Sequence, residues 1–404
     1  VEGETTTPPA AAAVSKVLDD DNLLAEILLR VGLPTTLVRA AAVCRRWLHH
    51  ASDRKFLRRF RELHPPRLLG FQVIEQDGFA RPTAEHFVPM LPLPPELDAV
   101  VRRVSSSLGS YRRDDGTSTR IIECRNGTLL IEHRKRGSGS TLGVHNLLFP
   151  EKGVTFLPPR PSPGPKIQSL FEHAYSKILT EEEEDGSLSY LYLLVPCNRE
   201  RKHEVQVYML QEGVWCMHHN LALDDQLDRN RLDAEPVLVG NKIYIAVARS
   251  EISVLDLTSL SFSKIQLPQG VERDGIGKQS TSLARAADAA GIYLIHVKGL
   301  QIRLWLHKGD DWLLVDTICL REMLASLNML GYASLQIKSV GDNAEFVFLE
   351  MGQCALHLDV KCRTLRKVYE VTEEGAYLGD IYPVMMIWPP AFPALKDGPA
   401  RDAM

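Results

Sequence analysis

The chain holds 404 residues, 45% apolar and 24% charged, with 47 Lys and Arg against 51 Asp and Glu for a formal net charge of -4. At roughly 100–200 residues per domain, that length suits about two to four domains, or a small module joined to a large one. The proportions exclude a mainly disordered chain, a coiled coil and a collagen, and the near-neutral balance excludes a whole-molecule polyanion binder.

Seven cysteines (Cys44, Cys124, Cys197, Cys216, Cys319, Cys354, Cys362) are odd in number and contain no CxxC pair. They read as thiols of a reducing compartment, cytoplasmic or nuclear, and not as a disulfide framework. Asn126-Gly127-Thr128 fits a glycosylation triplet but is taken as a hairpin turn. The first fifteen residues carry Glu2, Glu4 and a short Pro/Ala run, without the basic segment and longer apolar stretch of a signal peptide. Residues 1–16 are therefore expected to be a disordered tail. No stretch approaches the ~18 uninterrupted apolar residues of a membrane span, so no membrane partner is expected.

Over residues 17–66 the pattern is helical. Leu24, Ile27, Leu28 and Val31 fall at i, i+3, i+4 and i+7, and Asp19, Asp20 and Asp21 stand where carboxylates suit the positive end of a helix dipole. Gly32 stops this helix, and Pro34-Thr35-Thr36 opens a second running through Leu37, Val38, Ala41, Val43, Cys44 and Trp47. Ser52-Asp53 opens a third, with Phe56, Leu57, Phe60 and Leu63 inward. A unit this small buries little apolar surface, so it is expected to lean on something else. Arg39, Arg45, Arg46, Arg54, Lys55, Arg58, Arg59, Arg61 and Arg67 face only Asp53 and Glu62 over the same stretch. This excess reads as a solvated helix face suited to an acidic protein partner. Nucleic acid is not expected, since no aromatic platform or recognition helix accompanies the charge.

From Leu68 onward short β-runs take over and recur. Turn signals stand at Asn126-Gly127, Asp185-Gly186, Gly240-Asn241, Ala290-Gly291 and Asp342-Asn343, about 50–60 residues apart. A β-run follows each turn (128–131, 188–195, 243–247, 292–297, 346–349) and a second comes next (144–149, 205–210, 252–257, 302–306, 355–360). Units of four hairpin-linked strands read as propeller blades, because radial packing covers the apolar faces that each unit leaves exposed. Five such units are legible. Leu68–Ile74 and Ile381–Trp388 are expected to build a sixth from the two ends, leaving residues 391–404 as a tail. The fold class is thus multidomain α plus all-β, a small three-helix module followed by a β-propeller-like repeat domain over residues 67–390. A pair of open β-sandwiches is the alternative.

Chemistry is sparse. Pro150 to Pro165 and Glu181–Asp185 read as exposed loops. Gly275-Ile276-Gly277 lacks the strand–helix setting of a phosphate loop, and Gly137-Ser138-Gly139-Ser140 reads as a flexible hairpin tip. His218 and His219, as neighbours in a β-run, point to opposite faces and cannot easily share a metal. Cys354, His357 and Cys362 read as core or surface side chains, and Asp224-Asp225 and Asp310-Asp311 as solvated turn acids. No catalytic residue, cofactor or metal is assigned. Trp215, Trp305, Trp312 and Trp388 belong mostly to blade cores.

The helical segment carries a resemblance. Leu23-Leu24-Ala25-Glu26-Ile27-Leu28-Leu29-Arg30, Leu37-Val38-Arg39-Ala40, Val43-Cys44-Arg45-Arg46-Trp47 and Phe56-Leu57-Arg58-Arg59-Phe60 together resemble an F-box in the style of plant F-box proteins, many of which continue into a kelch-like or propeller-like domain. The family usually opens with Leu-Pro, whereas here Asp19 follows Leu18, and one extra residue sits around Gly32. The resemblance implies a non-enzymatic substrate-recognition subunit of an SCF-type ubiquitin ligase. The F-box would dock a Skp-type adaptor, and through it a cullin-RING ligase, while the β-domain would bind a target protein. The implied adaptor face comprises Leu18, Leu24, Ile27, Leu28, Leu37, Val38, Val43, Cys44 and Trp47, and no substrate-binding residue is implied. An apolar excess on so small a unit is also what a docking surface needs. The alternatives are an adaptor-bound scaffold without ubiquitin transfer and a propeller enzyme with an unrecognised funnel site.

Overall fold

The computed structural model describes residues 17–64, 67–78, 82–92, 95–109, 117–125, 127–135, 138–147, 153–161, 175–182, 188–195, 203–223, 235–245, 250–271, 280–286, 291–331, 334–386 and 392. The tail expected at 1–16, Trp388, Cys197, Asp224-Asp225, the turn Asp185-Gly186 and the Gly275 segment lie outside the described residues, as does the tail at 391–404 apart from Phe392.

Residues 17–19 are helical, and four helices with described bounds follow: α1 (Asp21–Leu29), α2 (Pro34–Ala41), α3 (Arg45–Ser52) and α4 (Arg54–Leu63). The second and third replace the single helix expected from Pro34 to Trp47. Cys44 is extended, at φ -161° and ψ 169°, and breaks the run without any Gly or Pro. Leu37, Ala41 and Ala51 all enter one core cluster with Leu24, Leu28, Phe56 and Phe60. A straight helix would carry Ala51 roughly 21 Å from Leu37 at about 1.5 Å per residue, beyond the reach of so small a core. Compactness decides the break.

The strands form a ring of six sheets. Blade 1 is β3 (Thr117–Arg125), β4 (Thr128–Lys135), β5 (Ser138–Asn146) and β6 (Val154–Phe156); blade 2 is β7 (Tyr175–Glu182), β8 (Leu188–Val195), β9 (His203–Gln211) and β10 (Val214–Leu223). Blade 3 is β11 (Val237–Val239), β12 (Lys242–Ile245), β13 (Glu251–Asp256) and β14 (Ser261–Gln266). Blade 4 is β15 (Thr281–Arg285), β16 (Gly291–Lys298), β17 (Gln301–Lys308) and β18 (Asp311–Cys319); blade 5 is β19 (Gln336–Val340), β20 (Phe346–Met351), β21 (Cys354–Asp359) and β22 (Thr364–Glu370). Every pairing within the blades is antiparallel, as hairpin connections dictate. Ser138–Ser140, expected as a hairpin tip, is the start of strand β5.

The sixth blade joins the two ends of the chain. Its order is β2 (Pro82–Pro89), β1 (Leu68–Gln76), β23 (Tyr377–Met385), with Val73 opposite Ile381 and Leu68 opposite Met385. β23 takes the innermost place, touching β3 on one side and β19 on the other. Apolar clusters fill all six blade-to-blade interfaces, as between blades 5 and 6, where the tilted rings of Phe71 and Phe348 meet with centroids 4.8 Å apart. Helix α5 (Pro95–Gly109) interrupts the β-region where no helix was expected. Its Leu97, Val101 and Val104 enter the cluster between blades 6 and 1, and the helix touches β1 and β2. A short helix α6 (Arg321–Ser326) follows β18.

Truncating a fully buried aromatic in a closed ring leaves a cavity that neighbouring blades cannot collapse into. Phe348→Ala is expected to lower unfolding free energy by about 3–5 kcal/mol in a denaturant titration. An exposed control such as Phe156→Ala should stay within about 0.5 kcal/mol of wild type.

Candidate functional site

One arginine of the helical module ties α3 to the start of α1. Asp20 caps α1, accepting from the backbone amides of Asn22 at 2.8 Å and Leu23 at 3.0 Å. Arg46, on α3, reaches back to the same end. Its Nη1 donates to the Leu18 carbonyl at 2.6 Å, and Nη2 donates to the Asp19 carbonyl at 2.7 Å. Nε and Nη2 both donate to Asp21 Oδ1, at 2.8 and 2.6 Å, and His50 Nε2 meets the same oxygen at 3.0 Å. The Arg46 hydrogen bonds, followed by the His50 one, hold the Asp21 carboxyl below its ordinary range. Arg59 pairs with Glu26 at 2.7 Å, tying α4 to α1.

Helix α1 is apolar on two faces. Leu24 and Leu28 point inward and are essentially fully buried, as is Leu37 on α2. Of the nine residues implied by the resemblance, these three are core. Ile27, Val43 and Cys44 are exposed, Val43 at 64%, while Leu18, Val38 and Trp47 are half-buried. The structure adds Leu23, exposed one turn before Ile27 on the same stripe. Its i, i+4 spacing to Ile27 was the signal, masked by the equally apolar pair Leu24 and Leu28 beside it.

At the ring axis a second cluster converges. Arg125, the last residue of β3, donates from Nη1 to the Thr180 carbonyl at 2.7 Å; Arg285, the last residue of β15, donates to the same oxygen from Nη2 at 3.0 Å. Blades 1, 2 and 4 are thereby pinned at one carbonyl. Thr180 Oγ1 donates to Glu123 at 2.9 Å, beside a crevice lined by Arg125, Leu130 and Tyr190. Burial pushes the Glu123 carboxyl up to about 7, opposed by the Arg125 charge and the Thr180 hydrogen bond and reinforced by Glu235 and Asp342. The cluster fastens the innermost strands β3, β7 and β15 across the axis. Among the described residues, no group of three or more His, Cys, Asp or Glu side chains could hold a metal ion.

His218 and His219 do not part to opposite faces as simple alternation requires. A β-bulge between Met217 and His219 makes His218 the extra residue, and the two rings meet edge-to-face with centroids 3.9 Å apart. Burial, then the neighbouring His218, lowers the His219 pKa. His357 lies among Phe346 and Phe348, and burial pushes its pKa down to about 4. Cys354 is buried and donates weakly to Glu370. Trp215 is a buried blade residue, while Trp312 donates Nε1–H to the Gln266 carbonyl across blades 3 and 4. Asp310 and Asp311 are exposed at the β17–β18 turn. Among the described residues no helix is long and apolar enough to cross a membrane.

The family profile described as F-box protein AT5G49610-like, beta-propeller, matches residues 120–392. No curated protein matches the chain. Among solved structures, TolB from Acinetobacter baumannii is similar over 80% of this chain and 73% of its own, at 9% identity and a TM-score of 0.34. The periplasmic gluconolactonase PpgL of Pseudomonas aeruginosa is similar over 76% and 83%, at 10% identity and a TM-score of 0.35. Likenesses this low do not bear on what the chain does.

Two pH responses follow. The depressed Asp21 value stabilises the fold above the ordinary carboxylate pKa, and that contribution is lost as pH falls through the folded-state value. Asp21→Asn should therefore flatten the acid limb of helical-module unfolding, followed by circular dichroism below pH 4.5. Glu123 has the opposite sign. Its raised value leaves no penalty below about 4.5, with a penalty growing through pH 7 to an order of 3 kcal/mol. Glu123→Gln should raise the melting temperature at pH 8 and leave it unchanged at pH 4.5.

Proposed function

The chain belongs to the family of F-box protein AT5G49610-like β-propellers, and on that premise we propose that it is the substrate-recognition subunit of an SCF-type ubiquitin ligase. In this reading residues 17–66 are the F-box and dock a Skp-type adaptor, which links the chain to a cullin-RING ligase. The propeller holds a target protein. Ubiquitin transfer is the work of partner subunits, and this chain contributes proximity, raising the effective concentration of target lysines near the charged conjugating enzyme.

The observation that supports the reading most is the outward apolar stripe of α1. Leu23 and Ile27 stand exposed on a helix whose other face already fills the module core, and Val43 stands exposed at the bend before α3. A module this small gains nothing for its own stability from such residues. Desolvating them against a partner is favourable at roughly 25 cal/mol per Å² of apolar surface. Leu24, Leu28 and Leu37 act on docking only by shaping the helices beneath it. The excess of arginines on α4 would aid encounter with an acidic partner more than final affinity.

Co-expression with a Skp-type adaptor followed by size-exclusion chromatography tests the proposal. Wild type should co-elute. Ile27→Asp and Val43→Asp each place an unpaired charge in the desolvated contact, at a cost on the order of 3 kcal/mol or more, and should lose co-elution. Both positions are exposed in the free chain, so circular dichroism and melting should match wild type. Retained co-elution of both variants, or failure of the folded wild type to bind, would contradict the reading.

A further inference from the structure

The outer edges of the six blades are not alike. β6 has only three residues, β2 is bounded by Pro82 and Pro89, β14 carries Lys264, β22 carries Arg366 and Lys367, and β10 is bulged at His218-His219. Short edges, prolines, cations and bulges are the devices by which sheets discourage pairing with another chain. β18 is also bulged, at Val315, but it runs nine residues, Asp-Trp-Leu-Leu-Val-Asp-Thr-Ile-Cys, without Lys, Arg, His or Pro. It is the last strand of its sheet, and among the described residues no strand lies beside its outer backbone edge.

Leu313, Leu314 and Val315 are exposed at 64%, 45% and 49%. Strict alternation would send the middle one inward. The register slips between Leu304 and Trp305 of β17, so that Trp305 faces Leu314, Leu304 faces Asp316, and Val315 is the extra residue. Here the bulge adds an apolar residue to the surface. The run is also held at both flanks: Trp312 Nε1 donates to the Gln266 carbonyl of blade 3 at 2.7 Å, and Asp316 pairs with Arg363 of blade 5 at 2.9 Å. An edge fixed in this way needs little ordering before it pairs.

We propose that the outer edge of blade 4 is a strand-addition site for an extended segment of a partner protein, apolar where it covers Leu313–Val315 and bearing Lys or Arg where it passes Asp310 and Asp311. Main-chain hydrogen bonds supply affinity in such pairing and alternate side chains supply specificity. The charge preference follows from Asp310 and Asp311, exposed at the start of the strand and engaged in no ion pair among the described residues. The same charges disfavour a second copy. Antiparallel self-pairing centred on Leu314 would lay Asp311 opposite Thr317, and β18 carries no cation that could meet it. The site does not depend on the adaptor reading and is tested without any adaptor.

The probe is a fluorescein-labelled peptide Lys-Lys-Val-Thr-Val-Thr-Val-Thr, titrated by anisotropy into the full chain. A version with Glu-Glu in place of Lys-Lys is the comparison. The basic peptide should bind at least tenfold tighter than the acidic one and slow amide exchange at residues 313–315. Leu314→Lys and Val315→Lys, at exposed positions, should melt as wild type and lose binding at least tenfold. Asp310→Asn with Asp311→Asn should erase the preference for the basic peptide. Absence of binding, equal binding to the lysine variants, or unchanged β18 exchange would overturn the proposal. Concentration-dependent dimerisation of wild type that Leu314→Lys abolishes would also overturn it, assigning the edge to a second copy.

Discussion

The pairing of β1 with β23 is the constraint on which the rest of the structure depends. It runs from Leu68 opposite Met385 to Gln76 opposite Tyr377 and joins residues more than 300 positions apart in the chain. Closing so long a loop costs entropy that grows only slowly with length, but it must be offset before any neighbouring interface forms fully. What offsets it is burial on both faces of β1, where Phe71 and Val73 meet blade 5 and Leu69 meets blade 1 and α5. With β23 absent, the β3 and β19 strands would face an empty place and two of the six interfaces would open.

Closure also settles where the helical module attaches. Its last helix ends five residues before β1 begins, the Met386 amide donates to the Arg67 carbonyl at 3.0 Å, and Phe392, just beyond β23, packs against the α1–α4 cluster. Arg61 of α4 acts on the Glu345 carboxyl in the β19–β20 turn, against the burial that raises its pKa. The module thus leans on the end of the ring where innermost strands finish, and Arg125 and Arg285 also stand at such ends. Charge has separate uses in the molecule: at the axis it fastens blades, in the module it fixes the start of α1, and on α4 Arg59 ties the helix to α1 through Glu26 while Arg61 acts on Glu345.

The blades were legible because each repeats a turn followed by two strands, and an outer fourth strand rarely hides such a rhythm. The sixth blade was legible because two unpaired β-runs stood at opposite ends and an open ring leaves edges unsatisfied. Helix α5 was not. Its apolar residues Leu97, Val101 and Val104 are spaced for a helix, but Arg102-Arg103 and Ser105-Ser106-Ser107 dilute the stripe. The break at Cys44 was hidden for another reason: nothing in Ala42-Val43-Cys44 opposes a helix, and only the size of the core does. Periodicity likewise could not separate Leu24 and Leu28, which fill the core, from Leu23 and Ile27, which face water, because both pairs repeat every four residues. Bulges defeated the rule of alternation twice, bringing His218 against His219 and turning Leu313–Val315 outward together. Register is a tertiary outcome, set by the neighbouring strand.

Native-state hydrogen exchange on the full chain, resolved by residue, tests ring closure most directly. If β1–β23 pairing is the constraint described, amides of β23 exchange with the same opening free energy as those of β1, β3 and β19, because the sixth blade opens only with its neighbours. If β23 exchanges well ahead of them while the inner strands stay protected, the ring stands without its closing strand, and the account given of both the propeller and the seating of the helical module is wrong.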